Sequence, residues 1–416
     1  MHEVYVIGVG ATAFGKWPDR GFRALAREAV TAALADARLP SPGALGGAWF
    51  GNCGMSWWGQ HNVRGQGVLA PLKADGTLPR DLPIANVEGG CATGSLALAG
   101  AVNAVRAEGG AALAVGVEKT LMPHDPAGMF NLFAHGIDQR HPDEWQAALT
   151  EQAAAHRLGW SPHPQRVVFL DIHALRARRH MQRYGTSPEA LARIAARAHA
   201  NGAANPRARL RFTLSPEDVL ADKPVVAPFT RAMCAPLSDG AAAAVVCDGD
   251  TLATLPDAVR RRALRVRALA LAGGAPRDLD APGVIDAAAA RAWARAGLGP
   301  GDIDVVEVHD ATAFCEIEAV EALGFCAPGE GAALCGSAAS SVGGALPVNP
   351  SGGLVSCGHP LAATGLGMVY ELALQLRAEA GPRQVAGARI GLAENAGGSV
   401  GVDEALCAVL IVEAVG

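Results

Sequence analysis

The chain is short of charge. Only 18% of its 416 residues are charged, and 35 Lys plus Arg stand against 40 Asp plus Glu, a net charge of −5. Such a balance offers no general attraction for phosphate backbones or anionic lipid, which excludes nucleic acid and membrane as expected partners. No apolar stretch reaches transmembrane length. Cysteine occurs nine times, an odd number, with no Cys-X-X-Cys pair. Neither a disulfide framework nor a metal site is therefore expected. Residues 1–10 read as a strand and not as a signal peptide, and Glu413-Ala414-Val415-Gly416 is no peroxisomal address. The expected compartment is the cytoplasm.

What the chain does have is apolar material. Half of it is hydrophobic, with 51 Gly and 26 Pro. That excludes disorder and supplies a core too large for one ordinary domain, so two domains or one duplicated fold is the prior.

A repeat favours duplication. A strand at Val4–Gly8, a helix from Arg23 to Arg38 and a short strand at Ala48–Gly51 recur as a strand at Leu264–Leu269, a helix at Ile285–Ala296 and a strand at Val305–Val308. The second units match too. Cys91-Ala92-Thr93-Gly94-Ser95 opens a helix to Arg106 before the strand Ala112–Gly116, and Gly358-His359-Pro360 opens a helix through Leu376 before the strand Ala388–Leu392. Strand–helix alternation predicts an α/β fold of two βαβαβ-type halves around parallel strands. The repeat is interrupted by a His-, Arg- and Pro-richer insert with helices expected at Val168–Tyr184 and Pro188–Ala200, a lid or substrate region. The expected division is 1–122 with 216–258 as the first half, 123–215 as the insert, and 259–416 as the second half.

The matched helix starts carry the candidate chemistry. Cys91 follows Gly89-Gly90 at a helix N-terminus, where backbone N–H groups and the helix dipole lower a thiol pKa and favour a nucleophilic thiolate. Position alone favours a buried core cysteine over a nucleophile. The equivalent corner of the other half, however, holds His359, and His309-Asp310 closes a buried strand, where open α/β sheets place ligands.

These residues resemble the thiolase superfamily, and within it the sterol-carrier-protein-type (lipid-transfer-protein-like) thiolases. The resemblance rests on Asn86-Val87-Glu88-Gly89-Gly90-Cys91-Ala92-Thr93-Gly94-Ser95, Val115-Gly116-Val117-Glu118-Lys119, Ala177-Arg178-Arg179-His180-Met181, Ser238-Asp239-Gly240-Ala241-Ala242, Glu307-Val308-His309-Asp310, Gly358-His359-Pro360-Leu361 and Asn395-Ala396-Gly397-Gly398. It implies a duplicated thiolase fold, mixed sheets layered α-β-α-β-α with an inserted loop domain. It also implies roles. Cys91 takes an acyl group from a coenzyme A thioester, His359 deprotonates the thiol, and His309 with a water helps form one oxyanion site. The N–H groups of Cys91 and Gly397 form the other. Coenzyme A enters as a substrate, and no tightly bound cofactor is expected.

One departure matters. Members of the family that make or break the carbon–carbon bond use a second cysteine as acid/base, and the positions where it occurs are Ala311 and Asn395 here. Neither side chain titrates. Asn395 holding a water, or neighbouring Glu394 with its pKa raised by burial, is a possible support, as are Cys315 and Cys357. Without the usual shuttle, a substrate that stabilises its own enolate, such as an aryl or second-carbonyl compound, is favoured.

The remaining features read more plainly. Gly8-Val9-Gly10 is a strand-end turn and not a nucleotide fingerprint. Arginines 176, 178, 179 and 183 form a solvated helix face, and those at 260–262, 265 and 267 are surface charge. The Trp57-Trp58-Gly59 loop suits the interface of a homodimer. Three functions stay open: an acyl-CoA acyltransferase cleaving a 3-oxoacyl-CoA or making its reverse bond; a retro-aldolase, C-acyltransferase or decarboxylating condensing subunit with a small zinc/OB-fold partner; and a non-catalytic lipid-binding scaffold. A scaffold has no use for Cys91, His309 and His359 together.

Overall fold

The computed structural model describes residues 2–122, 124–160, 162–163 and 166–416. Met1 and Pro123, the expected first residues of the first half and of the insert, lie outside the described residues. Among the described residues there are eleven strands: β1 Val4–Ala11, β2 Leu45–Gly51, β3 Ile84–Val87, β4 Ala111–Glu118, β5 Pro224–Val226, β6 Phe229–Thr230, β7 Gly240–Asp248, β8 Leu264–Gly273, β9 Val305–Glu307, β10 Ile390–Gly397 and β11 Leu406–Ala414. Nine run in the order β3-β2-β4-β7-β1-β8-β11-β10-β9, and β5 pairs with β6 separately.

The duplication is visible in that order. The first half contributes β3-β2-β4-β7-β1 and the second β8-β11-β10-β9, with the pairing of β3 on β2 echoed by an isolated parallel bridge between Val306 and Val348. The seam is short, since β1 meets β8 at only Tyr5↔Arg265 and Val6↔Leu264. The expected parallel sheet is only part of the answer. The pairs β2–β3, β2–β4 and β9–β10 are parallel, whereas β7 lies antiparallel between β4 and β1, and β11 between β10 and β8. Helices join the parallel strands, but β7 is reached only after the chain returns from the insert. Both β7 and β11 read as near-continuous apolar runs, the pattern of strands buried on two faces.

Alternation along the strands assigns the layers. Leu113, Val115 and Val117 of β4 pack with Leu25, Ala29, Val30 and Ala33 of the helix Phe22–Ala37, while Ala112 and Ala114 face the opposite way. That second side meets the helices Thr93–Glu108 and Leu361–Leu376, which fill the middle of the molecule between the two halves of the sheet. Cys407, Val409 and Ile411 of β11 face outward onto the helices Val284–Ala296 and Ala313–Ala322. The result is helix, sheet, helix, sheet, helix. Gly8 and Gly10 lie inside β1 and not in a turn, because a Cβ at either would stand 2.2 Å from a carbonyl of the helix Phe22–Ala37.

Between β4 and β7 lie helices at Pro126–Ala134, Pro142–Ala155, Val168–Tyr184, Pro188–Ala203 and Pro216–Ala221, of which the sequence pattern signals only the third and fourth. The arginines correct a second expectation. Arg176 is buried and paired with Glu318 and Glu404, whereas Arg179 and Arg183 meet Asp280. Arg262, expected as surface charge, shares Asp36 with Arg377 and so ties the first half to the second. No described helix is long and apolar enough to cross a membrane.

Candidate active site

Three chain corners meet above the middle layer. Cys91 sits in a 3-10 turn, Gly90–Ala92, between β3 and the helix Thr93–Glu108. His359 immediately precedes Pro360, the N-cap of the helix Leu361–Leu376, and His309 lies just beyond β9. The Cys91 sulfur and one ring nitrogen from each histidine all lie within 4.8 Å of one another. They open into a cavity of about 80 Å³ walled by Phe133, Val167, Phe169, Leu170 and Leu237. Its polar lining, besides the Cys91, His309 and His359 side chains, comes from His173 and Glu404.

The hydrogen bonds fix a tautomer. Thr364 Oγ1 donates to the Pro360 carbonyl at 3.2 Å, so its 2.8 Å contact with His359 Nδ1 is one in which the ring donates. That leaves the lone pair of a neutral His359 on Nε2. Nε2 of His309 stands 3.5 Å from it, with the two ring centroids 5.1 Å apart. Behind His309, the Glu394 carboxylate accepts from its backbone N–H at 3.0 Å.

The electrostatics reverse one sequence expectation. Burial, helped by the charges of Glu88, Glu118 and Glu404, pushes the Cys91 thiol up to about 12, instead of the depressed value its place at a helix start suggested. Desolvation outweighs the local dipole. Burial also holds His309 down at about 4 and His359 well below its usual range, the latter reinforced by the other two histidines. The resting pair is thus thiol and neutral imidazole. Such a pair becomes nucleophilic when His359 Nε2 takes the sulfur's proton during attack.

Gly397, the last residue of β10, closes against the Cys91 turn. A Cβ at Gly397 would lie 2.4 Å from the backbone nitrogens of both Cys91 and Ala92, and Gly90, at φ +56°, backs onto Gly398 just as closely. Only glycine lets the strand end and the turn approach this far, the arrangement a pair of converging oxyanion donors requires. Gly397→Ala should force the strand end and the Cys91 turn apart and lower kcat on the order of 10²–10³-fold, the usual effect of misplacing an oxyanion donor. Steady-state kinetics with an unchanged kcat would refute this.

Asn395 and Glu394 do not line the cavity. Successive residues of a strand point to opposite faces. The Asn395 carboxamide enters the middle layer, where its Oδ1 accepts from Ser95 Oγ at 2.9 Å, and its Nδ2 has no partner among the described residues. Glu394 turns the other way and is held by the His309 N–H and the Cys407 thiol, its pKa pushed up to about 7 by burial. Cys357 lines a different cavity, with Glu307 and Glu371. Ala311, by contrast, lines the same cavity as Cys91. His173 and Glu404 went unread in the sequence, and the only signal for His173 was a histidine on the apolar side of an amphipathic helix. Two further groupings of potential metal ligands among the described residues, His2–Asp248–Asp250 and His156–Asp278–Asp280, include exposed acids and stand apart from this cavity.

Comparison with known proteins gives the family. The thiolase N-terminal domain matches residues 4–214, and the thiolase C-terminal domain-like family matches residues 265–410. The chain belongs to the thiolase family. It is 37% identical to an acetyl-CoA acetyltransferase of Methanothermobacter thermautotrophicus, over 96% of this chain and 98% of that protein. Human sterol carrier protein 2 is 35% identical, over 95% of this chain and 70% of its own length. The benzoylsuccinyl-CoA thiolase subunit BbsB of Thauera aromatica is 30% identical, over 90% and 89%. Among solved structures, an Ltp2-ChsH2(DUF35) aldolase superposes with a TM-score of 0.75 at 22% identity, covering 99% of this chain and 98% of that one, a likeness of fold. As a member of this family the thiolase is an acyltransferase.

Proposed function

We propose that this thiolase cleaves a 3-oxoacyl-CoA with coenzyme A, or makes the reverse bond, through an acyl group carried on Cys91. The observation that supports it most is the contact of His359 Nδ1 with Thr364 Oγ1. With Nδ1–H committed to Thr364, its basic Nε2 is left for the Cys91 thiol, and both lie in one apolar cavity with His309. In this reading His359 takes the thiol proton as sulfur attacks the C3 carbonyl. The N–H groups of Cys91 and Gly397 receive one developing oxyanion, and His309 Nε2–H turns toward the thioester oxygen. Phe133 and Phe169 on the wall favour an aryl or similarly broad apolar acyl group, in keeping with the benzoylsuccinyl-CoA relative.

Intact-mass measurement after exposure to a panel of acyl-CoA and 3-oxoacyl-CoA thioesters tests this directly. One acyl adduct on Cys91, discharged by free coenzyme A, is expected, with aryl-substituted 3-oxoacyl-CoA compounds acting fastest. Turnover with no adduct at any time would refute it. Such a result would favour the second reading, a retro-aldol cleavage with a small zinc/OB-fold partner, since that chemistry needs no acyl-enzyme. Its support is the DUF35 complex of the fold neighbour and the description of BbsB as a subunit.

The working assembly is proposed to be a homodimer. Trp57, Trp58 and Val63 are 37%, 41% and 60% exposed, unusual for such side chains, and β3 is the free edge of its half. An exposed edge beside apolar surface is a ready pairing site. Light scattering at micromolar concentration should give twice the 42.4 kDa chain mass. A monomer would overturn the assignment.

A further inference from the structure

Cleavage by Cys91 leaves an electron pair on C2 of the departing thioester, and something must protonate it. The same group must then take the proton of the incoming coenzyme A thiol. Ala311 and Asn395, where the family's second cysteine would stand, offer no proton. Around the cavity the other choices fall away. Glu404 is committed as a carboxylate: burial raises its pKa, but the Arg176 guanidinium 2.5 Å away, with His173 and Arg277, more than offsets that and holds it below the usual range. Glu394 is tied down behind His309. Cys53 bonds the Gly90 carbonyl and Thr93, and Cys357 bonds the Ser351 carbonyl at 3.0 Å, neither lining the cavity.

His173 is left. It lines the cavity, is 5% exposed, and its Nδ1 stands 3.5 Å from the sulfur of Cys315. That thiol lies four residues beyond Ala311, in the first turn of the helix Ala313–Ala322, and is 3.3 Å from Thr312 Oγ1. Nε2 of His173 has no hydrogen-bond partner among the described residues, yet it is not among the sealed polar atoms without one. It opens onto the cavity.

Resting on the acyl-Cys91 reading, we propose that Cys315, acting through the His173 imidazole, supplies and recovers the proton that the second thiol of other thiolases handles directly. As the C2–C3 bond breaks, C2 takes the proton from His173 Nε2 while the Cys315 thiol gives its proton to Nδ1. The products are the protonated thioester, a neutral imidazole in its other tautomer, and a Cys315 thiolate. Incoming coenzyme A then gives its thiol proton to Nε2, and Nδ1–H returns to Cys315. The coenzyme A thiolate attacks the acyl-enzyme, and the expelled Cys91 sulfur recovers its proton from His359. No net proton or electron is left over.

The surroundings suit a relay that is neutral at both ends. Burial, with Arg176 next, holds His173 down at about 3, so the imidazole starts uncharged. Burial pushes the Cys315 thiol above its usual range, while the Arg176 guanidinium favours the transient thiolate. A thioester enolate is far more basic than either group, so the transfer runs downhill.

Hydrogen–deuterium exchange at the methyl group of acetyl-CoA in D2O isolates this step, with acetylation of Cys91 measured beside it by intact mass: for the wild type with acetyl-CoA, and for wild type and variants alike with S-phenyl thioacetate, whose weakly basic leaving thiolate needs no proton from the relay. The full-length wild type should do both. His173→Gln and Cys315→Ser should each lose exchange on the order of 10²-fold or more, with acetylation rates held within about threefold. The double variant should lose no more than either single one. Exchange at the wild-type rate in folded Cys315→Ser would overturn the relay, as would equal loss of acetylation and exchange in His173→Gln. Failure of the wild type to acetylate Cys91 would instead overturn the acyl-enzyme reading on which the relay rests. If the serine variant does not fold, Cys315→Ala takes its place. It should lose exchange to the same extent, and wild-type exchange in it would likewise overturn the relay.

Discussion

Cys91→Ala should abolish acyl labelling and lower turnover on the order of 10⁴-fold or more, the scale seen when a covalent nucleophile is removed from its catalytic unit. The residual rate would come from binding and the oxyanion donors alone. The fold should survive. The Cys91 side chain closes one wall of an open cavity beside Phe133 and Leu237, so its truncation enlarges existing space and leaves no sealed void. It also carries no charge to be lost, because burial and the acids around it keep the thiol protonated up to about pH 12. A thermal midpoint within a few degrees of wild type is expected. The same protonation gives a second readout: in the free enzyme, alkylation of Cys91 by iodoacetamide should keep accelerating well above neutral pH. A plateau reached below pH 7 would mean a resting thiolate and would contradict the geometry. Persistent labelling of Cys91→Ala would move the nucleophile elsewhere.

The corners bearing Cys91, His309 and His359 were legible because each is punctuated locally. A glycine pair precedes Cys91, a proline follows His359, and His309 ends an apolar strand, so chain pattern alone placed all three at element ends. Duplication was legible for the same reason. What failed depended on partners far away in sequence. Arg176 reads as one more arginine on a polar helix face until Glu404, 228 residues on, arrives beside it. His173 joins the cavity only because the insert folds back over the second half. Asn395 and Glu394 failed differently. The motif places them next to Gly397, but strand alternation turns one into the middle layer and the other behind His309. The thiolate expectation for Cys91 failed on magnitude, since a helix end contributes less than burial removes.

Arg176 is where the largest stability effect is expected. Its guanidinium holds Glu318 through Nε at 2.9 and 3.1 Å and through Nη2, and Glu404 through Nη1 at 2.5 Å, with the Val402 carbonyl a further acceptor. The cluster bolts the helix Val168–Tyr184 to the helix Ala313–Ala322 and to the chain between β10 and β11. Arg176→Met keeps the length of the side chain and removes the charge, leaving two acids in a buried site with their shared counter-ion gone. Breaking a buried pair from one side costs about 3–5 kcal/mol, because the stranded charge has lost its hydration without a partner. The pH dependence of the Glu404 contribution should change sign with it. In the wild type Glu404 titrates below its usual value, so its contribution is present above the unfolded pKa and is lost as the solution turns acid, whereas burial already raises Glu318. In the variant, burial and mutual repulsion would hold both carboxyl groups above their unfolded values. They would then favour the fold only while protonated, and that contribution would disappear as pH rises through the raised pKa. Urea denaturation should therefore show a deficit that is larger at about pH 8 than at about pH 5. Adding Glu404→Gln should recover part of it, since one stranded charge is less costly than two. A pH-independent deficit below about 1 kcal/mol would place Arg176 among ordinary surface pairs.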